Sequence, residues 1–103
     1  MRMTIVLLTA LLFPASALAQ EPSQRGRVLL EEFCARCHAL GKTGASPHET
    51  APPFRRLDRS FDLDEFAVKL QQGLLAGHPD MPAFKFNEED ARAVSAYLRS
   101  VQE

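Results

Sequence analysis

The feature that most constrains this chain is the pentapeptide Cys34-Ala35-Arg36-Cys37-His38, which contains both of its cysteines. C-x-x-C-H is the attachment signature of c-type haem. Two thiols three residues apart occupy neighbouring positions of one helical turn, where they can reach the two vinyl groups on one edge of a porphyrin. The histidine that follows can then bind the iron from one face. We therefore predict one covalent haem, attached through Cys34 and Cys37, with His38 as an axial ligand.

The N-terminal segment has the pattern of a secretory signal. Arg2 precedes an apolar run that ends at Pro14, and the small residues Ala17 and Ala19 form a signal-peptidase site. We predict that residues 1–19 are removed and that residues 20–103 form one monohaem domain. An uncleaved membrane anchor is the alternative, but a spanning helix needs about 20 apolar residues and this run has roughly half of them. We expect no stable membrane insertion after cleavage.

Three other uses of a C-x-x-C pair compete with haem attachment. A redox dithiol is expected beside a βαβ pattern, and no strand alternation is found here. A structural zinc site needs four separated ligands, whereas the chain has no second cysteine pair and Cys37 and His38 are adjacent. A disulfide can form transiently in an oxidising compartment before the haem is attached. The motif together with an export signal favours haem.

Met81 is the candidate for the second axial ligand. It is the only methionine outside the predicted signal, and it lies in a loop between Pro79 and Pro82, which restrict the backbone. A lone methionine is often core filler, but a proline-bracketed loop between two predicted helices is not a helical core face. We predict iron ligation by His38 and Met81, with His78 as the main rival of Met81.

Apolar periodicity predicts three helices and a loop. The first helix follows Pro22, capped by Ser23, and extends to Cys34; the second runs from Asp62 to Gln72; the third is capped by Asn87. Residues 39–53 are rich in glycine and proline and predict a loop. Because no strand pattern is found, we predict an all-α domain with about three helices wrapped around one covalent haem. The apolar helix positions are Leu29, Leu30, Phe33, Leu63, Phe66, Ala67, Leu70, Ala91, Val94, Tyr97, Leu98 and Val101.

These motifs resemble the class I cytochrome c family, specifically its small monohaem bacterial members. The resemblance covers nearly all of residues 20–103 and includes the Ala51-Pro52-Pro53-Phe54 and Gly77-His78-Pro79-Asp80-Met81-Pro82 segments. It implies the cytochrome c fold and a close contact of Gly26 with Tyr97 where the first and last helices cross. It also implies that the carbonyl of Pro52 accepts a hydrogen bond from His38. Candidates to meet the haem propionates are Lys42, Arg55 and Arg56.

The expected function is one-electron transfer rather than catalysis, because two protein ligands would leave the iron closed to substrate. The expected partners are redox proteins such as a membrane oxidase, a reductase or a periplasmic dehydrogenase, met by a soluble periplasmic monomer. The near balance of 12 Lys+Arg against 13 Asp+Glu excludes a nucleic-acid partner. Two alternatives stay open: a haem sensor or peroxidase-like enzyme with a labile sixth ligand, and an electron-transfer subunit of a larger oxidoreductase.

Overall fold

The structure, a computed structural model, describes residues 10–12, 21–74 and 77–103. The predicted signal segment, residues 1–19, lies outside the described residues apart from positions 10–12. The described chain forms the helices α1 (Pro22–Phe33), α2 (Leu63–Gln72) and α3 (Glu88–Val101), with a 3₁₀ helix (Phe54–Arg59) between α1 and α2. This part of the chain contains no strand, so the prediction of an all-α fold is confirmed.

Helix α1 begins two residues earlier than its predicted cap, Ser23, implies. Pro22 occupies the first helical position, and the N-cap is Glu21, which makes no side-chain capping bond. The prediction of Ser23 as the cap was therefore wrong. Pro22 explains the difference, because its ring fixes φ near the helical value and its missing N–H needs no partner at that position. Ser23 consequently lies inside the first turn.

The predicted cap of α3, Asn87, is confirmed, and the structure shows that Asp62, predicted as the start of the second helix, caps α2. The carboxylate of Asp62 accepts hydrogen bonds from the backbone N–H groups of Asp64 (2.8 Å) and Glu65 (3.1 Å) at the start of α2. The side-chain oxygen of Asn87 accepts from the backbone N–H of Asp90 (2.8 Å) at the start of α3. Each bond satisfies a donor that the first helical turn leaves unpaired.

Helices α1 and α3 cross in direct backbone contact at Gly26. A Cβ built on Gly26 would lie 2.0 Å from the carbonyl oxygen of Ala93 and 2.9 Å from the nitrogen of Val94. The atoms nearest to this Cβ belong to the backbone of α3 one turn before Tyr97, so the predicted close crossing at Gly26 is present, while the implied contact with Tyr97 stays a prediction. The ring of Tyr97 is buried nearby, and its hydroxyl donates to the carbonyl of Leu40 (2.9 Å).

The core lies where α3 meets α1, α2 and the 3₁₀ helix. Leu98 and Val94 are its largest fully buried side chains. An isolated antiparallel bridge between Leu74 and Phe84 closes the loop that carries Met81. Within the described ranges, no helix has the length and apolar character needed to cross a membrane.

Candidate functional site

The C-x-x-C-H motif forms the hydrogen-bonded turn that follows α1. The N–H of Cys34 donates to the carbonyl of Leu30 (2.8 Å), which ends the helix at the first cysteine. The carbonyl of Cys34 then accepts from the N–H groups of Cys37 (3.2 Å) and His38 (2.9 Å). This turn brings both thiols and the imidazole to one side of the domain, and neither cysteine is in a disulfide.

The imidazole of His38 is held by a hydrogen bond and by a ring stack. Its Nδ1 lies 2.7 Å from the carbonyl oxygen of Pro52. Because a carbonyl oxygen only accepts, Nδ1 carries the hydrogen and Nε2 keeps its lone pair for a metal. The ring also stacks on Phe54, with centroids 4.6 Å apart and planes inclined by 25°. The sequence-based arrangement of His38 and Pro52 is thus present in the structure.

Both thiols, His38 and Met81 line the same cavity, whose volume is about 310 Å³. Most of its wall is apolar, and phenylalanine side chains from α1, the 3₁₀ helix, α2 and the segments that flank α2 contribute to it. Met81 is partly buried and packs against the hydrophobic core. The structure therefore brings together all of the sequence-predicted haem-binding side chains around one apolar space. The phenylalanines in the wall are Phe33, Phe54, Phe61, Phe66, Phe84 and Phe86.

The Cys34 thiol lies in the apolar wall of the cavity. Burial raises the pKa of Cys34 to about 11, and the neighbouring Cys37 adds to the rise. Burial disfavours the thiolate because an apolar wall solvates a charge poorly. Cys34 is therefore a neutral thiol at neutral pH.

A polar network at the wall of the cavity joins the loop after the motif to the Met81 loop. His78 accepts a hydrogen bond at Nδ1 from the N–H of Asp80 (3.2 Å), and its Nε2 lies 3.4 Å from the hydroxyl of Thr50. His48 accepts at Nδ1 from the N–H of Thr50 (3.3 Å), and its Nε2 lies 3.2 Å from the carboxylate of Asp80. In both histidines the lone pair on Nδ1 is used by a backbone donor.

The cationic side chains proposed for the propionates lie elsewhere. Lys42, Arg55 and Arg56 do not line the cavity in the described part of the chain, whereas Lys69 does. Arg55 donates to the carbonyl of Gly44 (2.7 Å) and, with Arg56, faces the carboxylate of Glu103. The hydrogen bond from Arg56 holds the pKa of Glu103 below its ordinary value. The sequence-based assignment of Arg55 and Arg56 as propionate contacts is therefore not supported.

Sequence reasoning did not assign a role to two sets of aromatic residues. Phe54 directly follows Pro52 and Pro53, and the carbonyl of Pro52 accepts the hydrogen bond from His38. This adjacency in the sequence could have indicated that Phe54 lies near His38. Phe33 lies edge to face with Phe84 (6.2 Å between centroids) and Phe86 (5.6 Å), which connects the end of α1 to the end of the Met81 loop. No local pattern indicates this contact, because it joins residues distant in the chain.

The donor set fits a covalent haem better than a bare metal ion. Two thiols, an imidazole with a free Nε2 and a thioether face an apolar cavity, whereas the described residues contain no group of three or more Cys, His, Asp or Glu side chains that could hold a metal ion. The zinc alternative therefore has no support among these residues. A helical domain with a C-x-x-C-H turn on an apolar cavity is a c-type cytochrome.

Comparison with known families agrees with this class. Residues 21–98 match the family described as cytochrome c oxidase, cbb3-type, subunit III, and the chain belongs to this family. The match confirms the prediction of covalently bound haem c, for which Cys34 and Cys37 have the attachment spacing. It also supports haem-based electron transfer. Comparisons with curated proteins and with solved structures gave no significant match.

Proposed function

We propose that this chain is an exported one-electron carrier of the periplasm whose haem iron is ligated by His38 and Met81. The observation that carries the proposal is the 2.7 Å contact between Nδ1 of His38 and the carbonyl of Pro52. This contact orients the imidazole and leaves Nε2 available as a metal ligand on the wall of the cavity that Met81 shares. A hydrogen bond to Nδ1 also strengthens the imidazole as a donor to the metal.

Met81 is preferred over His78 because of what each side chain already binds. The thioether of Met81 is partly buried against the core and lines the cavity. His78 is exposed, and its Nδ1 lone pair accepts the N–H of Asp80. Ligation by His78 would break its contacts with Asp80 and Thr50, whereas ligation by Met81 requires no such loss.

Each element of the site has a part in electron transfer. The haem iron supplies the one-electron chemistry when it is bound. The apolar wall keeps water away from the site, and the Pro52 contact holds His38 in one orientation. A thioether ligand favours the reduced state more than a second imidazole does. With His38 and Met81 both bound to it, the iron would have no position open to a substrate. This favours an electron carrier over an enzyme.

Near-infrared absorption of the ferric holoprotein tests the ligand assignment. A sulfur-to-iron charge-transfer band is expected in the parent, absent from Met81→Ala and retained in His78→Ala. The two variants are matched, because both truncate a cavity-lining side chain of the same loop to alanine. A band that survives in Met81→Ala, or one that disappears only in His78→Ala, would contradict ligation by Met81.

Export is tested by the mass of the protein made in a host that secretes it and attaches haem. The expected periplasmic product is residues 20–103 plus one haem. A product that retains residues 1–19 in the membrane fraction would contradict cleavage of a signal and a soluble carrier.

The family description favours a second candidate role as a subunit of a terminal oxidase. A fixed subunit uses the same haem ligands, so the site does not distinguish it from a diffusing carrier. Gel filtration of a native extract does: the carrier is expected to elute at the size of a monomer. Elution of all the haem protein with a large oxidase would favour the subunit role instead.

A further inference from the structure

The ring of Phe54 stacks on the ring of His38. Phe54 as a residue is 5 % exposed, and the two ring centroids are 4.6 Å apart with the ring planes inclined by 25°. This distance lies at the close end of the range for stacked rings, about 4.5–7 Å. One face of the imidazole is therefore covered by a buried aromatic surface.

The backbone of Phe54 is fixed on both sides. Its N–H donates to the carbonyl of Ala39 (2.9 Å), the residue that follows His38. Its carbonyl accepts from Nε2 of Gln102 (2.7 Å), and the same nitrogen also donates to the carbonyl of Leu98 in α3 (2.7 Å). The other side-chain atom of Gln102, Oε1, accepts from the N–H of Asp58 (3.0 Å). The amide of Gln102 thus ties both ends of the 3₁₀ helix to the end of α3.

The hydrogen bond to Pro52 alone does not determine the orientation of the imidazole. It fixes the position of Nδ1 but allows the ring to rotate about the line between Nδ1 and the carbonyl oxygen. The stack on Phe54 restrains this rotation, because turning the imidazole would move it against a ring that is itself held by the backbone. Together the two contacts define one ring plane.

We propose that Phe54 is a positioning residue that sets the plane of the His38 imidazole, with Gln102 holding Phe54 in place. The inference rests on the proposed ligation of the iron by His38. It adds a determinant outside the ligand set: the orientation of the ligand plane is set from α3 through Gln102 and the 3₁₀ helix. Phe54 also keeps water from one face of the ring and from the hydrogen bond to Pro52.

The test compares Phe54→Leu with Phe66→Leu in the ferric holoprotein. Both residues line the cavity, but only Phe54 stacks on His38 among the aromatic pairs of the described chain. Proton NMR of the paramagnetic haem reports the ligand plane, since the order and spread of the haem methyl resonances depend on it. Phe54→Leu is expected to change this order or to produce a second set of resonances. Phe66→Leu is expected to keep the parent order.

A second readout is the exchange of the Nδ1 proton of His38 with solvent. Loss of a stack worth roughly 0.5–1.5 kcal/mol corresponds to roughly twofold to tenfold faster exchange in Phe54→Leu. If Phe54→Leu does not fold, Gln102→Ala is the deciding variant, because the side chain of this partly exposed residue hydrogen-bonds the backbone of Phe54, Leu98 and Asp58. Gln102→Ala is expected to move the methyl resonances in the same direction by a smaller amount.

The outcomes separate this inference from the proposed function. An unchanged methyl order in Phe54→Leu or, where that variant does not fold, in Gln102→Ala overturns the positioning role while ligation by His38 stands. The same change in Phe66→Leu overturns it as well, because the effect would then be one of general packing. A parent spectrum without a histidine-ligated haem overturns the proposed ligation first, and the positioning role with it.

Discussion

The close crossing of α1 and α3 predicts that Gly26→Ala is strongly destabilising, although alanine is the better helix former by about 1 kcal/mol. The new Cβ would lie 2.0 Å from the oxygen of Ala93, far inside the 3.0 Å that real Cβ atoms respect. The backbone of Ala93 cannot rotate aside as a side chain could, so α1 and α3 must separate by about 1 Å. Such overpacking costs about 3 kcal/mol. Looser packing of Leu30 and Val94 adds about 1 kcal/mol. The net expectation is a loss of about 3 kcal/mol.

Guanidinium unfolding of the ferric holoprotein, followed by circular dichroism and by haem absorption, measures this loss. Gly41→Ala is the control, because a Cβ there meets nothing within 4 Å and its φ is not positive. The control is expected to stay within about 0.5 kcal/mol of the parent. In thermal unfolding the loss corresponds to a midpoint lowered by roughly 10–20 °C. A Gly26→Ala variant as stable as Gly41→Ala would refute the backbone contact as the basis of the crossing.

Two further substitutions test the packing and the caps by the same unfolding assay. Tyr97→Phe loses the bond to the carbonyl of Leu40 and is expected to cost about 1 kcal/mol. Burial raises the pKa of Tyr97 above its ordinary value of 10.0. The neutral hydroxyl therefore contributes its full stabilisation below pH 10.0, and this stabilisation is lost as the pH rises through the raised pKa. Tyr97→Phe should lack this loss of unfolding free energy, and the same decline with alkaline pH in parent and variant would contradict the assignment. Asp62→Ala removes the acceptor of two backbone N–H groups of α2 and is expected to cost about 1 kcal/mol. The exposed Asp58→Ala is its control, and equal effects of the two changes would refute the cap.

Much of the helical framework was predictable because its signals are local. The amide of Asn87 can reach the first-turn N–H groups from its own position, so residue type and spacing predicted this cap; Asp62 was predicted as the start of α2, and its capping bonds are a finding of the structure. The C-x-x-C-H motif is also local, and it specified the cofactor together with its attachment side chains. Ser23 was assigned wrongly because a capping residue type and a proline at the first helical position competed, and the proline determined where α1 begins.

The remaining features depend on contacts between distant segments. The stack of Phe54 on His38 requires the loop of residues 39–53 to fold back on the motif, which periodicity does not encode. Gly26 was expected to lie at a close crossing, and it does, but the sequence could not indicate that the backbone of Ala93 lies nearest, because helix rotation decides which residue of α3 it meets. Arg55 was expected near the haem propionates, yet its position on the 3₁₀ helix directs it toward Glu103. No sequence signal for the 3₁₀ helix distinguished it from a loop.

Voltammetry of the purified holoprotein, with and without hydrogen peroxide, tests the central claim most directly. A carrier whose iron has two protein ligands is expected to give one reversible one-electron wave that peroxide does not change. A catalytic reduction current that grows with peroxide concentration would contradict the closed His38/Met81 site and would identify an enzyme.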